Sequence, residues 1–174
     1  SQAGAQLLDQ PRSYDFAYAV YDPRADSWTT WKTVDLPLGE GSRYFQVAPG
    51  CVQWLVKEDG TLLVPIYCQG PQGGPYFVAV VHAAFDGKAL KYLDHGDELR
   101  LEEVRGLCEP SLAKFEGKYY LTIRNDNRGY VTVSDDGLKF APLKAWTFDD
   151  GQDLGSYNTQ QHWVIHGDGL YLAY

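Results

Sequence analysis

The chain has 174 residues, of which 44% are apolar and 22% charged, which is the composition of one soluble globular domain. Its formal net charge of −8 disfavours nucleic acid as a partner, because an acidic surface repels phosphate backbones. The longest apolar run, residues 76–85, is interrupted by His82 and is too short to span a bilayer, so no membrane partner is expected.

Aromatic and turn-forming residues dominate the composition. Aromatic residues reach 14% of the chain, together with 18 Gly and 9 Pro, which favours an all-β protein with many turns. Cys51, Cys68 and Cys108 have no CxxC spacing, so we expect buried, small apolar side chains rather than disulfides or a zinc site. No phosphate loop or dinucleotide fingerprint is present, and no cofactor is expected.

Short apolar or alternating segments, separated by polar turns, predict strands along the whole chain. In chain order the predicted strands cover residues 14–21, 28–34, 52–56, 61–67, 76–84, 90–93, 111–115, 119–123, 130–133, 146–148, 161–165 and 170–174. No segment has the periodicity of an amphipathic helix.

Three of the predicted hairpins share one plan of strand, glycine turn and apolar strand. Their turn glycines are Gly60, Gly117 and Gly169, which are separated by 57 and 52 residues. A four-stranded antiparallel unit that recurs at this period is typical of a β-propeller blade. The predicted blades are a half-blade over 14–35, a blade over 45–95, a blade over 107–149 and a half-blade over 157–174, about three blades in total.

Four motifs in order resemble those of the sialidase superfamily of six-bladed propellers. They are residues 48–53 followed by 59–65, the Glu-Pro-Ser-Leu of 109–112, the strand 121–124 that ends on Arg124, and the turn 134–140. The last of these is similar to the family's Asp-box, shortened by one residue and with Phe140 in place of Trp. The resemblance covers roughly residues 45–174.

The resemblance implies a carbohydrate-active protein, a glycoside hydrolase similar to exo-sialidases that holds an anionic or neutral glycan in an axial pocket. By motif match, Glu109 would act as the base on a tyrosine nucleophile and Arg124 as one of three arginines that bind the sugar carboxylate. The Asp-box is structural in the family, so Asp135 and Asp136 receive no catalytic role. The tyrosine nucleophile, the other two arginines and the acid/base aspartate are not assigned in this chain.

General chemistry also favours Glu109 and Arg124 as site residues. An arginine presents a planar fork that matches a carboxylate, and glycoside cleavage needs carboxyl groups with separate acid and base roles. The alternative for Arg124 is an ion pair with Glu109 or Asp126, and the alternative for Glu109 is a hydrogen bond to backbone amides.

Polar residues at the starts of the repeated strands are candidates for substrate contact. In the first strands of their repeats, His162 and Gln53 lie at positions equivalent to that of Glu109. Gln161 and Trp163 flank His162. Such side chains suit sugars, whose hydroxyls form hydrogen bonds and whose apolar faces stack on rings. His162 and His166 do not predict a metal site, because four residues of a strand span about 13 Å.

Two other functions remain open at this stage. The residues Glu-Pro-Ser-Leu followed by Gly-Lys-Tyr-Tyr-Leu also resemble five-bladed glycosidases of the arabinanase/xylosidase type, which would use three carboxylates and no arginine. A non-catalytic glycan-binding or scaffold propeller is the other alternative. A secreted or periplasmic location is favoured over others.

Ring closure gives the first testable prediction. Closed propellers usually contain at least four blades, so the chain is expected to be either an excerpt of a longer propeller or one half of a ring that two copies close as a homodimer. A discrete dimer in light scattering supports the two-chain ring. A monomer or soluble aggregate supports the excerpt.

Overall fold

The computed structural model describes residues 15–37, 46–70, 72–155 and 159–174. Regular structure in these ranges consists of antiparallel strands without any helix, which confirms the all-β class. The described ranges therefore contain no helix long and apolar enough to cross a membrane. The sheets do not close on themselves, so the blade count and ring closure remain predictions. Tyr14, Phe45 and Tyr157, where three predicted segments begin, lie outside the described residues.

The N-terminal strands form an interrupted hairpin. Strand β1 (Ala17–Tyr18) pairs with β4 (Lys32–Thr33), and β2 (Tyr21–Asp22) pairs with β3 (Ser27–Trp28). The carboxylate of Asp22 accepts a hydrogen bond from the backbone N–H of Arg24 at 2.8 Å, which stabilises the turn between β2 and β3.

The central sheet has five strands. They are β5 (Gln46–Ala48), β6 (Leu55–Val56), β7 (Leu62–Gly70), β8 (Gly73–Phe85) and β9 (Leu90–His95). The sheet order is β5-β7-β8-β9, and β6 also pairs with β7. Strand β7 has nine residues, which is long enough to pair with β6 near its start and with β5 near its end. The Pro-Gly segment at 49–50 separates β5 from β6. In this region the sequence predicted a single strand over 52–56.

The remaining strands form a third sheet and a final hairpin. The third sheet runs in the order β10 (Cys108–Phe115), β11 (Lys118–Arg124), β12 (Gly129–Ser134) and β13 (Lys144–Ala145). The final hairpin consists of β14 (His162–His166) and β15 (Gly169–Ala173).

Three local predictions need correction. The fourth strand of the third sheet precedes the predicted 146–148, because Phe148 turns back to donate a hydrogen bond to the carbonyl of Gln152 at 2.8 Å. The positive φ of the last hairpin turn belongs to Gly167 (58°), whereas Gly169 lies in β15. Cys51 is exposed in the turn before β6, whereas Cys68 and Cys108 are buried as predicted.

The central sheet is buried on both faces. On one face of the sheet, Val64 and Ile66 of β7 belong to a core that also contains Phe16 and Val34 of the N-terminal hairpin. Leu63 belongs to a second core that contains Val78, Val80 and apolar residues of the third sheet, among them Leu112, Tyr119, Leu121 and Ile123. Burying an aliphatic side chain of this size contributes about 1.5–3 kcal/mol.

A tight turn from the third sheet fits against the central sheet at Gly137. The Ser134 hydroxyl accepts a hydrogen bond from Gly137 N–H at 2.8 Å, and the Asp136 carboxylate accepts one from Lys139 N–H at 2.8 Å. Desolvation pushes the pKa of Asp136 upward, but these backbone and hydroxyl hydrogen bonds outweigh it and hold the pKa below its usual value. Gly137 has φ of 78°, and a Cβ there would approach Leu63 and the ring of Tyr119.

This packing predicts that replacing each of two glycines by Ala lowers the free energy of unfolding by different amounts, although their φ angles are nearly equal. Gly117, with φ of 79°, has open space around a hypothetical Cβ, so Gly117→Ala should cost about 1–2 kcal/mol from backbone strain alone. Gly137→Ala should cost about 1–3 kcal/mol more, because Leu63 must move. Urea unfolding of both variants measures the difference. Equal losses would contradict the close packing at Gly137.

Candidate functional site

The β10 strand is irregular where Glu109 lies. Its pairing with β11 shifts between Cys108 and Ser111, and Glu109 has φ of 49°. A positive φ is uncommon for a residue with a side chain, and the following Pro110 has no N–H to donate to a neighbouring strand. The bulge places Glu109 close to Arg124, which ends β11 as the cross-strand partner of Cys108.

Two carboxylates and two guanidinium groups form a continuous chain at this bulge. Arg124 Nη1 lies 2.6 Å from Glu109 Oε2, and Arg124 Nη2 lies 3.3 Å from Asp126 Oδ1. Arg105 Nε lies 2.9 Å from Asp126 Oδ2. The side chains of Glu109 and Arg124 are only 14% and 11% exposed, so each charge depends on its partner. Such partly buried pairs contribute little net stability, but they hold a carboxylate in one orientation.

Glu109 lines a cavity of about 310 Å³. The other lining residues come from the central sheet and from the region just before and at the start of β10. They are Gln46, Ala48, Tyr67, Tyr76, Arg105 and Cys108. The Tyr76 hydroxyl donates to Gln46 Oε1 at 2.9 Å, and the rings of Tyr67 and Tyr76 meet edge to face with centroids 5.7 Å apart. The volume lies at the small end of the range for small-molecule sites.

Burial raises the pKa of two side chains of this cavity. Desolvation, followed by the negative charge of Glu109, raises the pKa of Tyr67 to about 12, so the phenol stays protonated, and a hydrogen-bond donor, well into the alkaline range. Burial likewise raises the pKa of the Cys108 thiol, which makes it an unreactive part of the wall.

Gln53 and Trp163, two of the predicted substrate contacts, are hydrogen-bonded to each other across sheets. Trp163 N–H donates to Gln53 Oε1 at 2.9 Å, and Gln53 Nε2 donates to the Trp163 carbonyl at 3.2 Å. The indole N–H of Trp163 also donates to the Ser111 carbonyl at 3.0 Å. The parallel bridge Gln53↔Ser111 makes Ser111, two residues after Glu109, the structural neighbour of Gln53.

Gln161 and His162 belong to the same inter-sheet network. The Thr122 hydroxyl donates to Gln161 Oε1 at 2.5 Å and accepts from the indole N–H of Trp146 at 2.9 Å. His162 Nδ1 lies 3.3 Å from the Ser111 hydroxyl. Among the described residues that line the cavity of Glu109, none of the four predicted contacts appears. Their contact with a substrate stays a prediction.

Sequence reasoning singled out Glu109 and missed most of the other cavity residues. Gln46, Tyr67 and Tyr76 come from a different sheet, and Arg105 lies in an irregular segment without a motif. The one sequence signal for Tyr67 and Tyr76 was that they end and begin the predicted strands 61–67 and 76–84. Within the described ranges no group of three His, Cys, Asp or Glu side chains could hold a metal ion.

The chain is similar to two solved structures of Trypanosoma rangeli sialidase, one in complex with the inhibitor DANA and one in complex with sialic acid. Sequence identity is 17% and 18%, and the TM-scores are 0.48 and 0.46. Each match covers 90% of this chain but only 26% of the sialidase, so the chain spans about a quarter of their length. Both are sialidases, the family that the sequence motifs resemble. No protein-family model and no curated protein matches the chain.

The inter-sheet network generates a prediction about Gln53. Gln53→Ala leaves the N–H and C=O of Trp163 without their partner, so the free energy of unfolding should fall by about 1–3 kcal/mol. Urea unfolding measures this loss, and Gln152→Ala, at an exposed turn, is the control. Unchanged stability combined with weaker glycan binding would instead support Gln53 as a substrate contact.

Proposed function

We propose that this chain carries part of the ligand site of a carbohydrate-active protein, a sialidase-like glycoside hydrolase that holds a glycan in the cavity of Glu109. The observation that supports this proposal most directly is the carboxylate of Glu109 on the wall of a 310 Å³ cavity, held by Arg124 at 2.6 Å. A carboxylate fixed in this way beside a ligand-sized cavity can serve as a general base.

The other lining residues suit a sugar. The rings of Tyr67 and Tyr76 offer apolar surface, and the Tyr67 phenol offers a hydrogen-bond donor because it stays protonated. Gln46 brings an amide group to the same wall. Together these groups combine apolar contact with a few polar contacts, as small-molecule sites do. The small volume favours a single terminal sugar ring over a long chain.

Glu109 has one oxygen with no partner in the described structure. Oε2 bonds to Arg124, whereas Oε1 has no hydrogen-bond partner among the described residues. In the proposed reaction Oε1 accepts the proton of a hydroxyl nucleophile as its oxygen bonds to the anomeric carbon, the glycosidic C–O bond breaks, and a second catalytic group protonates the leaving oxygen. Glycoside cleavage needs a second catalytic group, and Glu109 is the one carboxylate among the described lining residues. We therefore place the second group on a residue outside this wall.

The arginine beside Glu109 bears on the alternatives. An arabinanase/xylosidase-type mechanism would use three carboxylates and no arginine, so the Arg124–Glu109 pair supports it less. A non-catalytic glycan-binding site remains a second candidate, because one carboxylate already paired with an arginine suffices for binding.

The test is Glu109→Gln in the intact protein, assayed on a panel of chromogenic glycosides and free oligosaccharides. Glutamine keeps the shape and removes the base, so the turnover number should fall by about 10²–10⁴-fold with little change in KM. Glu102→Gln, a charge-matched change at an exposed position, should leave both constants unchanged.

Three outcomes separate the candidates. Turnover that depends on Glu109 supports the hydrolase. Glycan binding without turnover, unchanged in Glu109→Gln, supports the non-catalytic site. The absence of both binding and turnover across the panel would overturn the proposal.

A further inference from the structure

A second cavity, of about 290 Å³, lies outside the site of Glu109. Four aromatic side chains line it. They are Tyr18 and Tyr21 of the N-terminal hairpin, Trp54 just before β6, and Phe85 at the end of β8. The other described lining residues are aliphatic. The described lining therefore contains no charged side chain, in contrast to that of the Glu109 cavity.

The two cavities lie on opposite faces of the central sheet. Strand β7 contributes Leu62 to the aromatic cavity and Tyr67 to the cavity of Glu109. Leu62 packs against the core shared with the N-terminal hairpin, whereas Tyr67 packs against the core shared with the third sheet. Because five residues of a strand span about 16 Å, a single sugar ring cannot contact both cavities.

Contacts within the protein hold two of the aromatic walls in place. The Tyr18 hydroxyl accepts a hydrogen bond from the backbone N–H of Leu90 at 2.9 Å. The ring of Trp54 meets the buried ring of Phe16 edge to face, with centroids 5.7 Å apart. A ligand therefore meets aromatic walls that are already ordered, which lowers the entropy cost of binding.

Two hydrogen-bond donors of this lining are unused within the described ranges. The Tyr18 phenol accepts a bond but donates to no described residue, and the indole N–H of Trp54 has no acceptor there. The Tyr21 hydroxyl, in contrast, donates to Asp26 at 2.6 Å.

These properties select among ligand classes. A purely apolar ligand would cover the two donors without pairing them, which costs free energy. A charged ligand would find no counter-ion in the described lining. An uncharged sugar ring satisfies both conditions, because its C–H face packs on aromatic rings and its oxygens accept hydrogen bonds.

We infer that the aromatic cavity is a second glycan-binding site, which takes an uncharged sugar ring. The ring packs on the aromatic walls, and its oxygens accept hydrogen bonds from Tyr18 and Trp54. This site is independent of Glu109 and of any turnover, so the inference goes beyond the proposed function. Two sites on one protein raise the effective concentration of a long or clustered glycan at the cavity of Glu109.

The test measures the binding of three uncharged trisaccharides, cellotriose, maltotriose and xylotriose, to the intact protein by calorimetry. Trp54→Ala removes a ring and a donor, so the affinity for the trisaccharide that binds should fall about tenfold or more. Trp54→Phe keeps a ring against Phe16 and loses only the N–H, so the affinity should fall about two- to tenfold. The second variant tests the site even where Trp54→Ala unfolds.

The matched control is Trp31→Ala. Trp31 is 76% exposed and does not belong to the described lining of the cavity, so its replacement should leave the trisaccharide affinity unchanged. Thermal unfolding of each variant checks that the fold is retained.

Three results would overturn the inference. The first is wild-type affinity in a folded Trp54→Phe and a folded Trp54→Ala. The second is Trp54-dependent binding of the apolar probe 2-naphthol without binding of any trisaccharide, which would make the cavity a site for apolar ligands. The third is the absence of binding by every probe.

The two sites can fail separately. Glu109→Gln should leave the Trp54-dependent binding of the trisaccharide unchanged, and Trp54→Phe should leave the turnover of small chromogenic glycosides unchanged. Turnover that depends on Glu109 without Trp54-dependent binding contradicts this inference alone. Trp54-dependent binding without any ligand or turnover at Glu109 contradicts the proposed function alone.

Discussion

Burial of the central sheet on both faces is the constraint on which the described structure depends. Neighbouring residues of β7 point to opposite faces, so Leu63 enters the core shared with the third sheet and Val64 enters the core shared with the N-terminal hairpin. A slip of one residue in the pairing of β7 and β8 would exchange both sets of side chains at once. The register is therefore specified twice, which also determines where Tyr67 of β7 and Tyr76 of β8 lie.

The cavity forms where this face-to-face packing ends. Along the strands, apolar side chains from the two sheets fill the space between them, as in other packed sheets. At one end Gly106 brings the backbone close to Tyr76, and the bulge at Glu109 replaces an apolar contact with a carboxylate. A carboxylate of low exposure must be paired, and Arg124 and Asp126 continue the pairing toward Arg105. The charged chain is thus a consequence of placing Glu109 at the edge of an apolar core.

Local patterns were sufficient to predict most of the strands and one charged pair, but not β5 or the position of β13. Alternating residues and glycine turns predicted the all-β class, and Glu109 and Arg124 meet because they belong to adjacent strands of one hairpin. The partners of Glu109 across the cavity could not be found in this way, since the positions of Tyr67 and Arg105 depend on how separate segments pack. The sequence could not predict that Gln53 bonds to the backbone of Trp163 either. An amide that pairs with a sugar and an amide that pairs with the backbone of Trp163 have the same sequence signal.

Two kinds of polar residue consequently lie between the sheets. In the first kind the hydrogen-bonding atoms are used within the protein, as in Gln53 with Trp163 and Thr122 with Gln161. In the second kind, within the described ranges, some atoms remain unused and lie at the cavity, as with Glu109 Oε1 and the Nη atoms of Arg105. An unused polar atom on a side chain of low exposure, such as Glu109, is costly, so its position persists only when rigid neighbours hold it. The satisfied network between the sheets supplies that rigidity, so within the described ranges the unused Glu109 Oε1 and Arg105 Nη atoms occur beside atoms that are paired.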